Sequence, residues 1–220
     1  MLSKEYLENG VEIYQDDKLY TFTSDSILLS KFAAVKKNEV MADFCSGSGI
    51  VGFNVYALQP EKIKSVTFFE MQKPLYDLSV KSISLNGFND KFFAENVKLQ
   101  DLPKTYYGKF SLIVCNPPYM KDGSGETNKD DLISVCKAEK TLPLKDLASA
   151  LGKALKFGGR VALIHRADRL TEVVRALYEN GIETKRLQLI SSGDKPPYAF
   201  LLEGVKGGKP GVKLLNTVKN

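Results

Sequence analysis

The tetrapeptide Asn116-Pro117-Pro118-Tyr119 has the most specific chemistry in the sequence. It follows the apolar run Phe110–Cys115, whose length and composition are typical of a buried strand. The strand must end here, because prolines cannot donate to a sheet ladder and each keeps the preceding residue extended. The side-chain carbonyl of Asn116 and the backbone carbonyl of Pro117 can then face one point beside an aromatic ring. Two acceptors and a stacking surface predict a site for a planar group that carries an NH2.

A glycine-rich loop forms a second candidate site. The predicted strand Val40–Phe44 leads into the sequence CSGSGIVG at positions 45–52 and then into a helix. Glycines permit a sharp turn and close approach of a ligand, and a helix N-terminus offers free N–H groups. A carboxylate about twenty residues further on, at the end of the next strand, can bind the ribose hydroxyls of an adenosine cofactor. NAD and S-adenosylmethionine both fit this pattern. The candidate binding residues are Asp43, Ser46, Gly47, Gly49 and Glu70.

Short apolar runs alternate with helical patterns from position 39 onward, which predicts a parallel sheet covered by helices. Strands are predicted at Val40–Phe44, Ser65–Glu70, Lys91–Ala94, Phe110–Cys115, Arg160–His165, Thr184–Ser191 and Tyr198–Val205. The loop between the last two is too short for a crossover helix, so they should form an antiparallel hairpin. The predicted fold is α/β: a Rossmann-like, doubly wound, seven-stranded sheet, mainly parallel, with a C-terminal antiparallel hairpin strand.

Three helices have recognisable start or stop signals. The first should be capped by Ser24, Asp25 or Ser26. A second, with leucines on one face, should end at the glycine pair 158–159, and a third at the Asn-Gly pair 180–181. We expect their apolar faces to pack on the core.

Composition restricts the class of protein. A hydrophobic content of 43% and a charged content of 26% are those of a soluble globular protein. No apolar stretch reaches the roughly 18 residues that span a bilayer, and no signal sequence begins the chain, so a cytoplasmic location is expected. The three cysteines lack metal-site spacing, so we expect structural thiols and no metal. The net charge of +5 permits a polyanionic partner.

Together, Asp43, the Gly47-Ser48-Gly49 loop, Glu70 and the NPPY tetrapeptide resemble the motifs of class I S-adenosylmethionine-dependent N-methyltransferases. Within that superfamily the chain is most similar to the bacterial tRNA1(Val) adenine-N6-methyltransferase family. The supporting stretches are YTFTSDSILL at 20–29, HRADRL at 165–170 and KGGKPG at 206–211. The resemblance implies S-adenosylmethionine as cofactor and, as substrate, the adenine next to the anticodon of a valine tRNA.

The resemblance also implies roles for individual residues. Asn116, Pro117 and Tyr119 would be catalytic, and Pro118 would join Asn116 and Tyr119 in binding substrate. Lys121 is a further candidate for substrate binding, because of its charge. Asn116 and Asp25 would add to the cofactor site. The chain departs from the family twice: Cys45 replaces the first motif glycine, and the acid expected after the third strand is unclear. Either Glu95 or Asn96 could contact the cofactor adenine, and Asn96 is preferred because an amide can serve that edge.

The resemblance also suggests how the chain is divided. We expect an N-terminal extension or lid at 1–38, a methyltransferase domain at 39–205 and a basic C-terminal tail at 206–220. The glycine-rich start of the tail should be mobile. The charged segment 120–142 should be a functional or disordered loop. Its lysines, with Lys185, Arg186 and Lys195, could follow tRNA phosphates.

Other readings fit part of the pattern. A release-factor glutamine N5-methyltransferase would use the same site for a planar NH2 group. That family, however, carries a sizeable helical domain before the methyltransferase domain, where this chain has 38 residues. Amines of rRNA or DNA, an inactive RNA-binding module with this fold, and a dehydrogenase are further alternatives. We expect a monomer. His165 should pack or hydrogen-bond and not act in catalysis.

Overall fold

The computed structural model describes residues 2–19, 23–118 and 142–220. The predictions for Tyr119, Lys121 and the lysines that follow lie outside these ranges, as do those for Cys136 and the stretch 20–22. Among the described residues, no helix is long and apolar enough to cross a membrane.

Strands and helices alternate along most of the chain, with a β-hairpin before the first helix and two short strands near the end. The elements are β1 Leu2–Tyr6, β2 Glu12–Asp16, α1 Ser24–Phe32, β3 Glu39–Phe44, α2 Ile50–Leu58, β4 Ile63–Phe69, α3 Lys73–Leu85, β5 Phe92–Glu95, β6 Phe110–Cys115, α4 Leu144–Ala154, β7 Leu155–Arg166, α5 Leu170–Glu179, β8 Ile182–Ser191, β9 Ala199–Lys206, β10 Lys213–Leu214 and β11 Val218–Lys219. Single 3-10 turns lie between several of them.

The central sheet has the strand order β10-β8-β9-β7-β6-β3-β4-β5, and β11 also pairs with β8. Strands β5, β4, β3, β6 and β7 are parallel, and β9 is antiparallel to both β7 and β8. This confirms the predicted fold: a mainly parallel, Rossmann-like sheet with an antiparallel C-terminal hairpin.

Alternating side chains of the central strands build two apolar cores, one on each face of the sheet. Met41 of β3 packs with residues of α1 and α2. Its neighbour Ala42 packs on the opposite face with residues of α4 and α5. The strands must therefore be apolar throughout, which explains why they read as continuous apolar runs in the sequence.

The C-terminal tail corrects one prediction. The sheet has nine strands rather than seven, because β10 and β11 both pair with β8 in parallel. Lys213 pairs with Arg186 and Val218 with Ile190, whereas mobility of the glycine-rich stretch 207–211 before these strands stays a prediction. The two short strands cover an edge of β8 that would otherwise expose unpaired backbone groups.

Two helix signals were also misread. Helix α4 ends at Ala154, before the glycine pair 158–159, because Leu155 already pairs with Phe110 of β6. The glycines lie in an irregular stretch of β7, where a Cβ on Gly159 would stand 2.9 Å from the Phe110 carbonyl oxygen. At α1 the N-cap is Thr23, so the three residues proposed as caps lie in the first turn instead.

The hairpin of β1 and β2 was not predicted. It packs on α3, where the N–H of Glu12 donates to Asn86 Oδ1 at 2.9 Å and the N–H of Tyr14 donates to Ser82 Oγ at 2.9 Å. This contact brings Gln15 at the end of the hairpin to the glycine loop.

Candidate functional site

The candidate residues lie at the carboxyl end of the parallel sheet, where the strand order changes direction. Strand β3 lies between β4 and β6. Helix α2, which follows β3, packs in one apolar core, and α4, which follows β6, packs in the other. A crevice forms where such helices diverge, and ligands of doubly wound sheets bind there. The register pairs Phe44 with Cys115, so the glycine loop and Asn116 leave the sheet side by side.

The loop from Cys45 to Gly49 turns through left-handed backbone conformations. Cys45 and Gly47 both have φ near 57°, and Gly49 has φ 93°. This explains why the related motif prefers glycine at the position of Cys45, since a side chain there costs roughly 1–2 kcal/mol. The neighbouring Cys115 thiol and burial raise the pKa of Cys45 well above its usual range, so Cys45 stays a neutral thiol.

Gly52, in the first turn of α2, is a site residue that the sequence analysis missed. Its N–H donates to Asp43 Oδ2 at 2.8 Å. A Cβ at this position would stand 2.6 Å from the Phe68 ring and 3.1 Å from Asp43 Oδ2. Only glycine therefore lets the start of α2 approach the end of β3 this closely. The sequence signal that could have indicated this role is its position as the last glycine of the glycine-rich stretch 45–52.

The Asp43 carboxyl group is a candidate contact for a ligand. The residue is fully buried, and its Oδ1 has no hydrogen-bond partner among the described residues. Burial, with a smaller contribution from the nearby Glu70, raises the pKa of Asp43 to about 8, against the lowering effect of the Gly52 N–H. The Ser46 hydroxyl is also buried without a partner. A buried polar atom that lacks a partner is costly, so the two together indicate a ligand site.

Glu70 lies after β4 and faces the same loop. Its Oε2 accepts from the Gly47 N–H at 2.9 Å and its Oε1 from the Gln72 N–H at 2.8 Å. Burial raises the pKa of Glu70, while these N–H donors lower it. Each oxygen retains a second lone pair, so the carboxylate can still accept from two hydroxyls of a ligand.

The residues proposed after β5 both have protein partners. Asn96 Nδ2 donates to the Glu70 carbonyl at 2.8 Å and to the Met71 carbonyl at 3.0 Å, so it fixes the backbone beside Glu70. Glu95 Oε1 accepts from the Tyr106 hydroxyl. Burial, followed by this contact, raises the pKa of Tyr106, which remains a neutral phenol.

Asn116 begins the segment after β6 and contacts helix α1. Its Nδ2 donates to the Ser26 hydroxyl at 3.2 Å. Pro117 is buried and Pro118 is half-buried. Asn116 therefore contacts the N-terminal segment, across 90 positions of sequence, which no local pattern could reveal.

Asp25 lies one residue before Ser26 and is also buried. Its Oδ1 accepts from the Tyr198 hydroxyl at 3.1 Å, and Asn220 Nδ2 donates to the Ser24 hydroxyl at 2.8 Å. The C-terminal hairpin and tail thus hold the start of α1. His165 lies nearby at the end of β7: it is buried, its Nδ1 accepts from the Arg166 N–H at 2.9 Å, and its ring lies near Phe200.

The N-terminal hairpin reaches the loop from the other side. Gln15 is buried, and its Nε2 donates to the Ser48 hydroxyl at 2.5 Å. Its Oε1 is buried, and no described residue forms a hydrogen bond with it. Nothing in the sequence around Gln15 marked it, because the contact depends on how the hairpin packs against α3.

Comparison with known proteins gives a consistent picture. Residues 13–143 match the family described as "Methyltransferase small domain". The tRNA1(Val) (adenine(37)-N6)-methyltransferase of Shewanella sediminis is 24% identical over 184 residues, which cover 81% of this chain and 73% of that protein. The release factor glutamine methyltransferase of Clostridium acetobutylicum is 27% identical over 195 residues, which cover 82% of this chain and 65% of that protein.

Solved structures share the fold. A predicted O-methyltransferase from Agrobacterium tumefaciens superposes with a TM-score of 0.70 at 18% identity, covering 89% of this chain and 86% of its own. The TYW2 structure from M. jannaschii in complex with AdoMet gives a TM-score of 0.64 at 14% identity, covering 92% and 84% of the two chains.

Proposed function

Because this chain belongs to the methyltransferase small domain family, we propose that it methylates the exocyclic N6 amine of adenine in a tRNA. The chain is an S-adenosylmethionine-dependent methyltransferase, and the proposal concerns its substrate and the roles of its residues. One observation supports the proposal most: the glycine loop and the Asn116-Pro117 segment lie at adjacent strand ends. At the glycine loop, the Asp43 and Ser46 side chains have buried oxygens without a partner among the described residues.

The residues present fit S-adenosylmethionine. Glu70 offers acceptors for ribose hydroxyls. The backbone of Gly47 leaves room for close approach, because no described atom lies within 4 Å of the position that a Cβ would take there. Asp43 and Ser46 have buried oxygens that lack partners. The remaining candidates for the cofactor site are Asp25, Asn96 and Asn116. When bound, the cofactor supplies an electrophilic methyl group on a sulfonium sulfur.

The protein's contribution to transfer is to hold and polarise the amine. The lone pair of an exocyclic adenine amine is conjugated with the ring, so the amine is a poor nucleophile. Asn116 Oδ1 and Pro117 O would each accept a hydrogen bond from one of its N–H groups. This arrangement would favour the pyramidal nitrogen that attacks a methyl group. The same two oxygens stabilise the positive charge that develops on nitrogen. Alignment supplies much of the remaining rate enhancement, and the surplus proton leaves to water.

Tyr119 and Lys121 are proposed from the sequence alone. Tyr119 would stack on a base removed from its neighbours, and Lys121 would contact the RNA. Pro118 would complete the surface against the base. The positive net charge of the chain supports a polyanionic substrate.

The names of the relatives support the choice of substrate. The relative from Shewanella sediminis is named as a tRNA adenine-N6-methyltransferase, as are those from Photobacterium profundum and Mannheimia succiniciproducens. A second candidate is the side-chain amide of glutamine in a release factor, because two other relatives are named as glutamine methyltransferases. A primary amide presents the same planar NH2 to the two acceptors.

A methyl-transfer assay separates these substrates. The purified chain is incubated with labelled S-adenosylmethionine and either unmodified total tRNA or release factor, followed by nucleoside and peptide analysis. We expect N6-methyladenosine in a valine tRNA. Label on a glutamine would transfer the assignment to the second candidate. Label in neither substrate, with intact cofactor binding, would contradict both.

A further inference from the structure

The structure contains a link from helix α1 to the catalytic amide that the motif itself does not include. Ser26 is buried, with 1% of its surface exposed, and its hydroxyl oxygen lies 3.2 Å from Asn116 Nδ2. In the planar amide group, Nδ2 and Oδ1 point in different directions. With Nδ2 on Ser26, the carbonyl oxygen faces away from α1.

The orientation of this amide decides whether Asn116 can accept a hydrogen bond from the substrate amine. The amine of the substrate brings two N–H donors and needs acceptors. If the Asn116 amide rotated by 180°, its own NH2 group would face the substrate amine, and two donors would oppose each other. The two ends of the amide are nearly equal in size, so packing alone does not select one of them. A hydrogen bond to a fixed neighbour selects one end when that neighbour acts as the acceptor, as the Ser26 hydroxyl does here.

Ser26 is well fixed, because α1 is held at both of its ends. At the start, the Tyr198 hydroxyl donates to Asp25. At the end, Arg186 Nη2 donates to the Phe32 carbonyl at 3.3 Å, and its guanidinium lies 4.5 Å from the centre of the Phe32 ring. The α1 segment is thereby fastened to the C-terminal hairpin, far from it in sequence.

We propose that Ser26 is a positioning residue that holds the Asn116 amide with its carbonyl toward the substrate amine. This inference rests on the proposed amine methylation but not on the identity of the substrate. Any planar NH2, of adenine or of glutamine, would require the same orientation.

Ser30 provides a matched control on the same helix. It is as buried as Ser26, at 1% exposed, and its hydroxyl donates to the Ser26 carbonyl at 2.8 Å. Among the described residues it makes no hydrogen bond to Asn116. Ser30→Ala therefore removes a buried hydroxyl from the same helix without removing the contact to the amide.

The kinetic test compares Ser26→Ala with Ser30→Ala. We expect kcat to fall about 10- to 100-fold in Ser26→Ala, the range known for partners that orient a ligating side chain. The Kd for S-adenosylmethionine should stay within about twofold of the unmodified chain, and Ser30→Ala should keep its kcat. An unchanged kcat in Ser26→Ala, or an equal loss in Ser30→Ala, would overturn the inference.

A second measurement does not depend on turnover. The side-chain NH2 signals of Asn116, identified by their loss in Asn116→Asp, are followed by NMR. Ser26→Ala should shift these signals and speed their exchange with solvent, whereas Ser30→Ala should leave them in place. Unmoved signals in Ser26→Ala would refute the positioning role. Failure of the unmodified chain to methylate any amine would instead refute the proposed function.

Discussion

Strand β3 carries a buried carboxyl group at each end, and the two differ in their hydrogen-bond and ion-pair partners. At the amino end, Glu39 forms an ion pair with Arg160, accepts from the Ser111 hydroxyl and accepts from the Lys36 N–H at 2.9 Å. At the carboxyl end, Asp43 accepts a single N–H, from Gly52, and its other oxygen has no partner. Within the described residues no basic side chain pairs with Asp43.

The difference separates stability from function within one strand. A buried carboxylate that is paired with a cation and accepts further hydrogen bonds holds neighbouring strands together, here β3, β6 and β7. A buried carboxyl without a cation stays partly protonated and costs folding free energy unless a ligand satisfies it. Changes at the amino end should therefore reduce stability, and changes at the carboxyl end should reduce binding and turnover.

The largest expected effect is on stability, from Glu39→Gln. The substitution leaves the Arg160 guanidinium buried without its counter-charge, a change that typically costs about 3–5 kcal/mol. Urea denaturation of the variant should show this loss, while the Kd for S-adenosylmethionine of the folded fraction stays near that of the unmodified chain. A stable variant that fails to bind cofactor would break the division between the two ends.

The next effect is on turnover, from Asn116→Ala. Removal of one acceptor for the developing charge should lower kcat by at least about 100- to 1,000-fold. S-Adenosylmethionine binding, measured by calorimetry, should be largely retained, and the melting temperature should change little. Near-normal turnover in this variant would contradict the role of the tetrapeptide.

The contrast between these ends also shows what the sequence could reveal. Glu70 and Asn116 could be chosen as candidates because motif spacing along the chain corresponds to neighbouring strand ends in a parallel sheet. Five parallel strands and the hairpin followed from apolar runs, and most strand limits agree within two residues; β7 begins earlier, at Leu155. Gln15, Ser26 and Tyr198 were not found, since each reaches the site through contacts between distant segments. Pairing of the tail with β8 was hidden by its glycine-rich composition.

Asp43 should make the stability of the chain depend on pH. The pKa of Asp43 is raised from 3.8 to about 8 in the folded chain, so between these values the folded state binds more protons than the unfolded state. Stability contributed by this group is therefore complete below about pH 4 and falls as pH rises toward 8, by at most about 1.4 kcal/mol per pH unit.

The variant Asp43→Asn removes this titration. In denaturation experiments at pH 6 and pH 7, the unmodified chain should lose stability relative to the variant as pH rises, by up to that amount. Glu70 titrates in both proteins, so the comparison isolates Asp43. The variant should also bind S-adenosylmethionine more weakly. A constant difference in stability across this interval would show that Asp43 is ionised throughout.

The smallest effect should come from Gln15, which touches the loop and not the ligand site directly. Gln15→Leu keeps a similar volume but removes the donor to the Ser48 hydroxyl, a bond worth about 0.5–1.5 kcal/mol. The unpartnered Oε1 disappears with it, so stability should change little while the glycine loop loosens. We expect a three- to tenfold rise in the Kd for S-adenosylmethionine, which corresponds to roughly the free energy of the lost hydrogen bond.

Gln188→Leu is the matched control, because Gln188 Nε2 donates to the Asn216 carbonyl on the exposed tail, away from the loop. Equal affinity in both variants would mean that the N-terminal hairpin supports the fold alone, and that the functional end of β3 is organised without it.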